Sequence, residues 1–362
     1  MITLLIICTL IVAFANGAND ISKGIATLVG SGVSNYRAAT IWGTIWTFLG
    51  VLTAAFVTQA LVATFSGKGL VQTPDDAPAF LLAVALGAIG WLIIATRTGM
   101  PVSTTHSLVG ALTGTALVDA ATHGVMWTAV LKKVGYPLLF SPFVSLLLVV
   151  LLLPLLSPLL RKSQAYCVCI EAAAPAMATP CGAILRDSSA ALPVVEVAPM
   201  KDCGESVVRF TLVDSLHWLS AGATSFFRGL NDAPKILALG VAAALATGIS
   251  SKVFYVMLAV AMGAGALLAG KRVTETLAQK VVRLEPANGF AANFVTSILV
   301  CLASRFALPV STTHVSSGAI IGIGMSKGKG VRWRMVAEMA LAWVVTLPCS
   351  ALIAAIVYKV VS

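Results

Sequence analysis

The hexapeptide PVSTTH stands at Pro101–His106 and again at Pro309–His314. Six identical residues, polar and led by proline, recur inside a very apolar chain. The surroundings repeat too: IATRTGMPVSTTHSLVGALTG (94–114) aligns without gaps on LASRFALPVSTTHVSSGAIIG (302–322), an offset of 208. A second pair, FANGANDISKGIA (14–26) and FFRGLNDAPKILA (226–238), aligns at an offset of 212 and sets Asn19-Asp20 on Asn231-Asp232 and Lys23 on Lys235. Two motifs in one order and at nearly one separation mean a duplicated unit.

Composition says where the unit lives. Of the 362 residues 58% are hydrophobic and only 10% charged, against about 25% charged in soluble domains. Crossing the hydrocarbon takes about 20 apolar residues. Such runs fall near 38–65, 79–96, 102–118, 136–160, 232–249, 251–270, 288–304, 309–325 and 335–361. The runs are continuous, which excludes an alternating β-barrel pattern. The expected fold is an all-α polytopic membrane protein, solvated by the lipid bilayer. The first residues lack a basic region and run straight into GAND, so a retained first helix is expected rather than a signal peptide.

The halves are 1–160 and 207–362, joined by a polar, Ala- and Pro-rich linker, 161–206. Net charge is +10. The basic residues lie mostly between apolar spans, as topology signals, and no nucleic-acid partner is implied. Lys271, Arg272, Lys280 and Arg283, with Lys327, Lys329, Arg332 and Arg334, make two loops cytoplasmic. The stretch between them leaves one face and returns to it, as two full spans or as a re-entrant hairpin with its tip at Pro309. Counting back, the linker is cytoplasmic, the hairpin at Pro101 enters from outside and the N-terminus is outside. Each half then crosses an odd number of times, giving inverted-topology repeats with discontinuous helices and a midplane site between them. The linker cysteines Cys167, Cys169, Cys181 and Cys203 are expected as unpaired thiols in a reducing compartment. No metal or cofactor is expected.

Proline suits the first turn of a helix, so helices should start just after Pro101 and Pro309. Their first amides have no partner inside the helix, and the positive dipole end favours an anion. Ser103, Thr104, Thr105, Ser311, Thr312 and Thr313 add hydroxyls there, so two opposed helix ends can clasp one tetrahedral oxyanion. The plainer alternative is that these residues cap their own helices. His106 and His314 are either packing residues or proton carriers. A charge at the bilayer centre costs about 2.5–3.5 kcal/mol even on lenient scales, so such residues usually face a pathway. Gly17 and Gly229 are expected to break their helices ahead of each Asn-Asp pair and expose carbonyls for a cation. Asp20 with Lys23, and Asp232 with Lys235, are three apart and share a face. They are either neutralised pairs or working groups: Asn19, Asp20, Asn231 and Asp232 as cation ligands or acceptors of a substrate proton, Lys23 and Lys235 as anion partners. Arg97, Arg305 and Arg228 either snorkel to the interface or steer anions. Asn16 stands where Arg228 is in the second half.

The paired GAND/GLND and PVSTTH motifs resemble the PiT family of inorganic phosphate transporters, across both halves and outside the linker. The resemblance implies a homodimeric secondary transporter of the bacterial or archaeal plasma membrane, moving phosphate with Na⁺ or protons. It places phosphate and cation ligands at Asn19, Asp20, Asn231, Asp232 and the six Ser/Thr residues. One departure stands out: the family commonly has Asn where this chain has Lys23 and Lys235. An ammonium there competes with Na⁺, which leans the coupling toward protons or fewer Na⁺ ions. Sulfate in the same fold is the alternative cargo, and a passive anion channel is the alternative mode. An intramembrane hydrolase is disfavoured because every candidate nucleophile and base is duplicated.

Overall fold

The computed structural model describes residues 1–58, 77–119, 124–171, 194–199, 208–326 and 330–362, with 62, 65, 70 and 71. The first repeat opens with α1 (Ile2–Asp20) and α2 (Ser22–Gly30), which are parted only by a turn at Ile21, and continues through α3 (Tyr36–Val57). Helices α4 (Ala77–Thr98) and α5 (Thr104–Val118) form a hairpin around the first PVSTTH. A short α6 (Trp127–Val130) passes through a π-helical turn (Leu131–Gly135) into α7 (Tyr136–Ser163). After the linker come α8 (Leu212–Ala246), α9 (Ser251–Ala269), α10 (Lys271–Gln279), the hairpin α11 (Pro286–Arg305) and α12 (Thr312–Ser326), and α13 (Trp333–Val361). Among the described residues, seven helical stretches are long and apolar enough to cross a membrane. The chain is an integral, multi-pass membrane protein.

The two motif-bearing helices run antiparallel. Thr9 packs at Gly240, Arg228 bonds Asn16, and His217 meets Thr27, so residue numbers climb along α1–α2 as they fall along α8. The hairpins enter from opposite faces. The start of α4 meets the end of α13 through the Phe80 and Tyr358 rings. The ends of α2 and α7 and the starts of α8 and α11 surround one surface cavity, lined by Ser31, Gln164, Thr211 and Pro286. The amide of Arg332 donates to Val281 O nearby. The linker, the 280–286 turn and the start of α13 therefore share a face, and the termini and residue 124 lie at the other. That is the relative sidedness the basic loops imply.

Both hairpins turn alike. Gly99 has φ +74° and its repeat counterpart Ala307 has φ +53°, the left-handed region that glycine tolerates and alanine resists. The break expected at Gly17 falls instead at Ile21, and α8 runs unbroken through Gly229. These glycines serve close packing: a Cβ on Gly17 would strike the Met262 carbonyl, and one on Gly229 would lie 2.5 Å from the Thr47 carbonyl. Where backbones meet this tightly, no side chain fits.

Between α3 and α8, Trp42, Trp46 and Trp218 pack edge-on, with Trp42 at 5.6 Å from each neighbour. The linker also departs from expectation. Strands β1 (Tyr166–Glu171), β2 (Val194–Pro199) and β3 (Val208–Phe210) form a three-stranded antiparallel sheet in the order β2-β1-β3. Cys167 on β1 is disulfide-bonded, not a free thiol. Its partner lies outside the described residues, as do Cys181, Cys203, Lys327, Lys329 and the side chain of Cys169.

Candidate functional site

Two oxygen cages, each closed on a lysine, lie where the motif helices cross the hairpin tips. Lys23 Nζ donates to Asn19 O at 2.8 Å, Asn19 Oδ1 at 2.8 Å and Asp20 Oδ1 at 2.7 Å. Lys235 Nζ donates to Asp232 Oδ1 at 3.1 Å, Thr105 Oγ1 at 2.9 Å, Val310 O at 3.0 Å and Asn231 Oδ1. Both lysines and both aspartates are buried. The spacing of three puts each pair on one helical face, and tertiary packing closes it off from water.

Between the cages lies a cross-repeat network. Asn16 Nδ2 reaches Asp20 Oδ2 at 2.8 Å, Thr104 Oγ1 at 3.0 Å and Asp232 Oδ2 at 3.3 Å. Thr104 Oγ1 donates to Asp20 Oδ2 at 3.2 Å. Arg228, fully buried, donates to Asn16 Oδ1 at 3.3 Å and to Thr47 Oγ1 at 2.6 Å, and its Nε has no hydrogen-bond partner. Arg97 and Arg305 are exposed and fit snorkelling; Arg228 does not. Asn16 and Thr47 belong to the centre and were not among the sequence candidates, whereas Arg228, read there as snorkelling or anion-steering, proves to be buried at the centre. The mismatch of Asn16 with Arg228 in the alignment was the available signal. Thr47 carried none.

The hairpin tips are held by the motif helices and by one another. Asn19 Nδ2 donates to Thr96 Oγ1 at 3.2 Å and Met100 O at 3.0 Å, and its Oδ1 accepts from the Val102 amide at 3.3 Å. In the second half Asn231 Nδ2 donates to Ser304 Oγ at 3.1 Å, the repeat counterpart of Thr96. Thr105 donates to Val310 O at 3.4 Å and Thr313 to Val102 O at 2.7 Å. These bonds place both tips beside the Asn-Asp pairs of the two motif helices.

The remaining candidates divide. Ser103 and Ser311 accept from the amides of His106 and His314, the ordinary capping bond. Thr312 is buried beside them. His106 and His314 form a pair of their own. Their rings pack at 4.6 Å, and they line a cavity of about 420 Å³ with Leu138, Phe143 and Trp343, between α7 and α13. His314 Nδ1 meets Leu138 O at 3.0 Å.

Chemically, the centre offers donors of both kinds that an oxyanion takes, neutral Thr and Asn and charged Arg and Lys, beside carboxylates that can accept a proton. Comparison with known proteins agrees. The model of the Phosphate transporter family matches residues 16–354. A protein of Rhizobium meliloti named "Probable low-affinity inorganic phosphate transporter" is 29% identical over 98% of this chain and 94% of its own length. One of the same name from Bacillus subtilis is 27% identical over 99% and 96%. A solved structure titled "The sodium-dependent phosphate transporter" shares the fold with a TM-score of 0.77 at 24% identity, covering 99% of this chain and 98% of that one. From the two motif pairs, the fold that brings them together and the family match along the chain, the protein belongs to the phosphate transporter family.

Proposed function

We propose that the protein moves inorganic phosphate across the membrane by cation symport, alternating the access of one midplane site between the two faces. The observation that carries this reading is the buried cross-repeat network of Asn16, Asp20, Thr104, Arg228 and Asp232. A charge at this depth is retained where it serves a pathway. Thr104, Thr105, Thr312 and Thr313 contribute hydroxyls to the anion, with Ser103 and Ser311 fixing the helix ends that present them. Asp20 and Asp232 accept the proton that phosphate carries and sulfate lacks, which favours phosphate as cargo.

Charge bookkeeping bears on coupling. Counted as ionised, Lys23, Lys235 and Arg228 against Asp20 and Asp232 leave one positive charge among these buried residues. A phosphate dianion would turn that into one negative charge, and a single monovalent cation restores neutrality. Both ammonium groups sit in shells made of the oxygens a Na⁺ ion would take, so each lysine acts as a tethered cation. The coupling ion is then one proton, or one Na⁺ bound elsewhere in the centre. A proton would reach the carboxylates, with His106 and His314 as candidate carriers. By its basic loops the linker face is cytoplasmic and the N-terminus outside, in a bacterial or archaeal plasma membrane, with a homodimer as the assembly.

The test is radiolabelled phosphate uptake into proteoliposomes under a Na⁺ gradient and a pH gradient imposed separately, with sulfate as competitor. Accumulation driven by the pH gradient, and little affected by sulfate, is expected. Equilibration without accumulation under either gradient would make the protein a channel. A stoichiometry of two Na⁺ per phosphate would overturn the tethered-cation reading.

A further inference from the structure

The two halves are equivalent in their motifs and unlike in what lies beyond them. Towards the linker face, the seam where α2 and α11 close on α8 is polar. His217 Nε2 meets Thr27 Oγ1 at 2.9 Å, Thr224 Oγ1 donates to Asn293 O at 2.9 Å, and Asn293 Nδ2 donates to Gly24 O at 3.1 Å. All of these side chains are buried, with Ser220 and Ser225 among them. Three polar atoms on these helices, His217 Nδ1, Ser225 Oγ and Asn288 Oδ1, have no hydrogen-bond partner. A buried polar group without a partner is a liability in a static core.

The repeat offsets name the opposite positions. Leu5 stands where His217 does, Cys8 where Ser220 does, Val12 and Ala13 where Thr224 and Ser225 do, and Ala85 where Asn293 does. All of these lie in the largest apolar cluster of the protein. One closure is thus built from exchangeable hydrogen bonds and the other from dry packing. Opening the first lets water replace each bond it breaks, whereas opening the second exposes apolar area with nothing in return.

The polar seam also leads somewhere. Its outer end is the surface cavity of about 400 Å³ at the ends of α2 and α7 and the starts of α8 and α11, lined by Ser31, Thr211, Asp214 and Pro286. Its inner end is Arg228, eleven residues along α8 from His217, roughly 16 Å at the helical rise. Mouth, seam and centre are contiguous along one helix.

We infer that phosphate passes between the centre and the linker face along this seam, over Thr27, His217, Ser220, Thr224 and Asn293, and that the ligand-free carrier opens to that face more readily than to the other. The seam holds hydroxyls, an amide and an imidazole and no carboxylate among the five, a lining that can replace the hydration of an anion without repelling it. Only the identity of the solute rests on the transport reading above; the seam and its preferred opening rest on the geometry.

The test uses the native Cys8 as its own control. In a Ser220→Cys variant in proteoliposomes, labelling by a small hydrophilic thiol reagent supplied to both faces is followed at Cys8 and at position 220 by site-resolved mass spectrometry. Each rate is normalised to the unfolded protein. Without phosphate, position 220 is expected to label at least tenfold faster than Cys8, and saturating phosphate to slow it at least threefold. Equal rates, or faster labelling at Cys8, would overturn the preferred opening. Labelling at 220 indifferent to phosphate, in a variant that still takes phosphate up, would overturn the route. If Ser220→Cys does not fold, Thr27→Cys reads the same seam from α2. If the asymmetry holds while no phosphate uptake is found, the transport reading fails and the seam stands as the route of another solute.

Discussion

Lys235 shows how a single side chain sets the character of the site. It reaches oxygens on α8, on α5 and at the tip of the second hairpin, so the repeats are joined through one ammonium. Replacing it with Met leaves Asp232 buried without its cation. Removing one partner of a buried pair typically costs about 3–5 kcal/mol, and phosphate uptake should fall at least tenfold. Thermal unfolding in detergent together with uptake measures both effects. Gly229→Ala is predicted to destabilise by about 1–3 kcal/mol through overpacking against Thr47, read from the same melting curve. At this scale the sequence was informative about pairing: the spacing of Asp20 and Lys23 foretold their ion pair. It could not foretell Arg228 bridging to Asn16 and Thr47, because nothing local says that α1, α3 and α8 converge there.

Among the elements, the hairpins are the most legible and the motif helices the least. Proline, hydroxyl residues and a repeated offset placed helix starts after Pro101 and Pro309, and helices begin at Thr104 and Thr312. The glycines of GAND and GLND misled, since glycine at a helix crossing and glycine at a helix break look the same in one sequence. The second hairpin turns through Ala307 where the first has Gly99. Ala307→Gly should therefore stabilise the protein by about 1 kcal/mol, checked by the shift in midpoint temperature against wild type. Thr313→Val should act the other way. It strips the Val102 carbonyl of its hydroxyl partner and should cost about 1–3 kcal/mol, loosening both tips together because each leans on the other.

For the molecule as a whole, composition pointed to the membrane, the continuous apolar runs to helices that cross it, and the duplicated motifs to opposed halves. The antiparallel run of α1–α2 past α8 is how that opposition looks in three dimensions. The small sheet of the linker was hidden, because short strands among alanines and prolines carry little periodic signal. With Cys167 in a disulfide, the thiols no longer argue for a cytoplasmic linker, and the argument rests on Lys271, Arg272, Lys280, Arg283 and their neighbours. It predicts that a cysteine placed at residue 124 reacts with an impermeant reagent applied to whole cells and that one at residue 280 does not. The reverse pattern would turn the molecule over in the bilayer.

The tryptophans between α3 and α8 carry a practical consequence. Trp218 is on α8 and packs edge-on against Trp42 of α3, and the Trp42 indole N–H donates to the Trp218 carbonyl at 2.9 Å. If α8 tilts away from α3, that indole loses its bond and meets a more polar surrounding. Its emission then moves to longer wavelength, and the transfer of excitation between the rings weakens. Unlabelled protein would thus report its own cycle as a change in colour and intensity, on the timescale of a stopped-flow mixer.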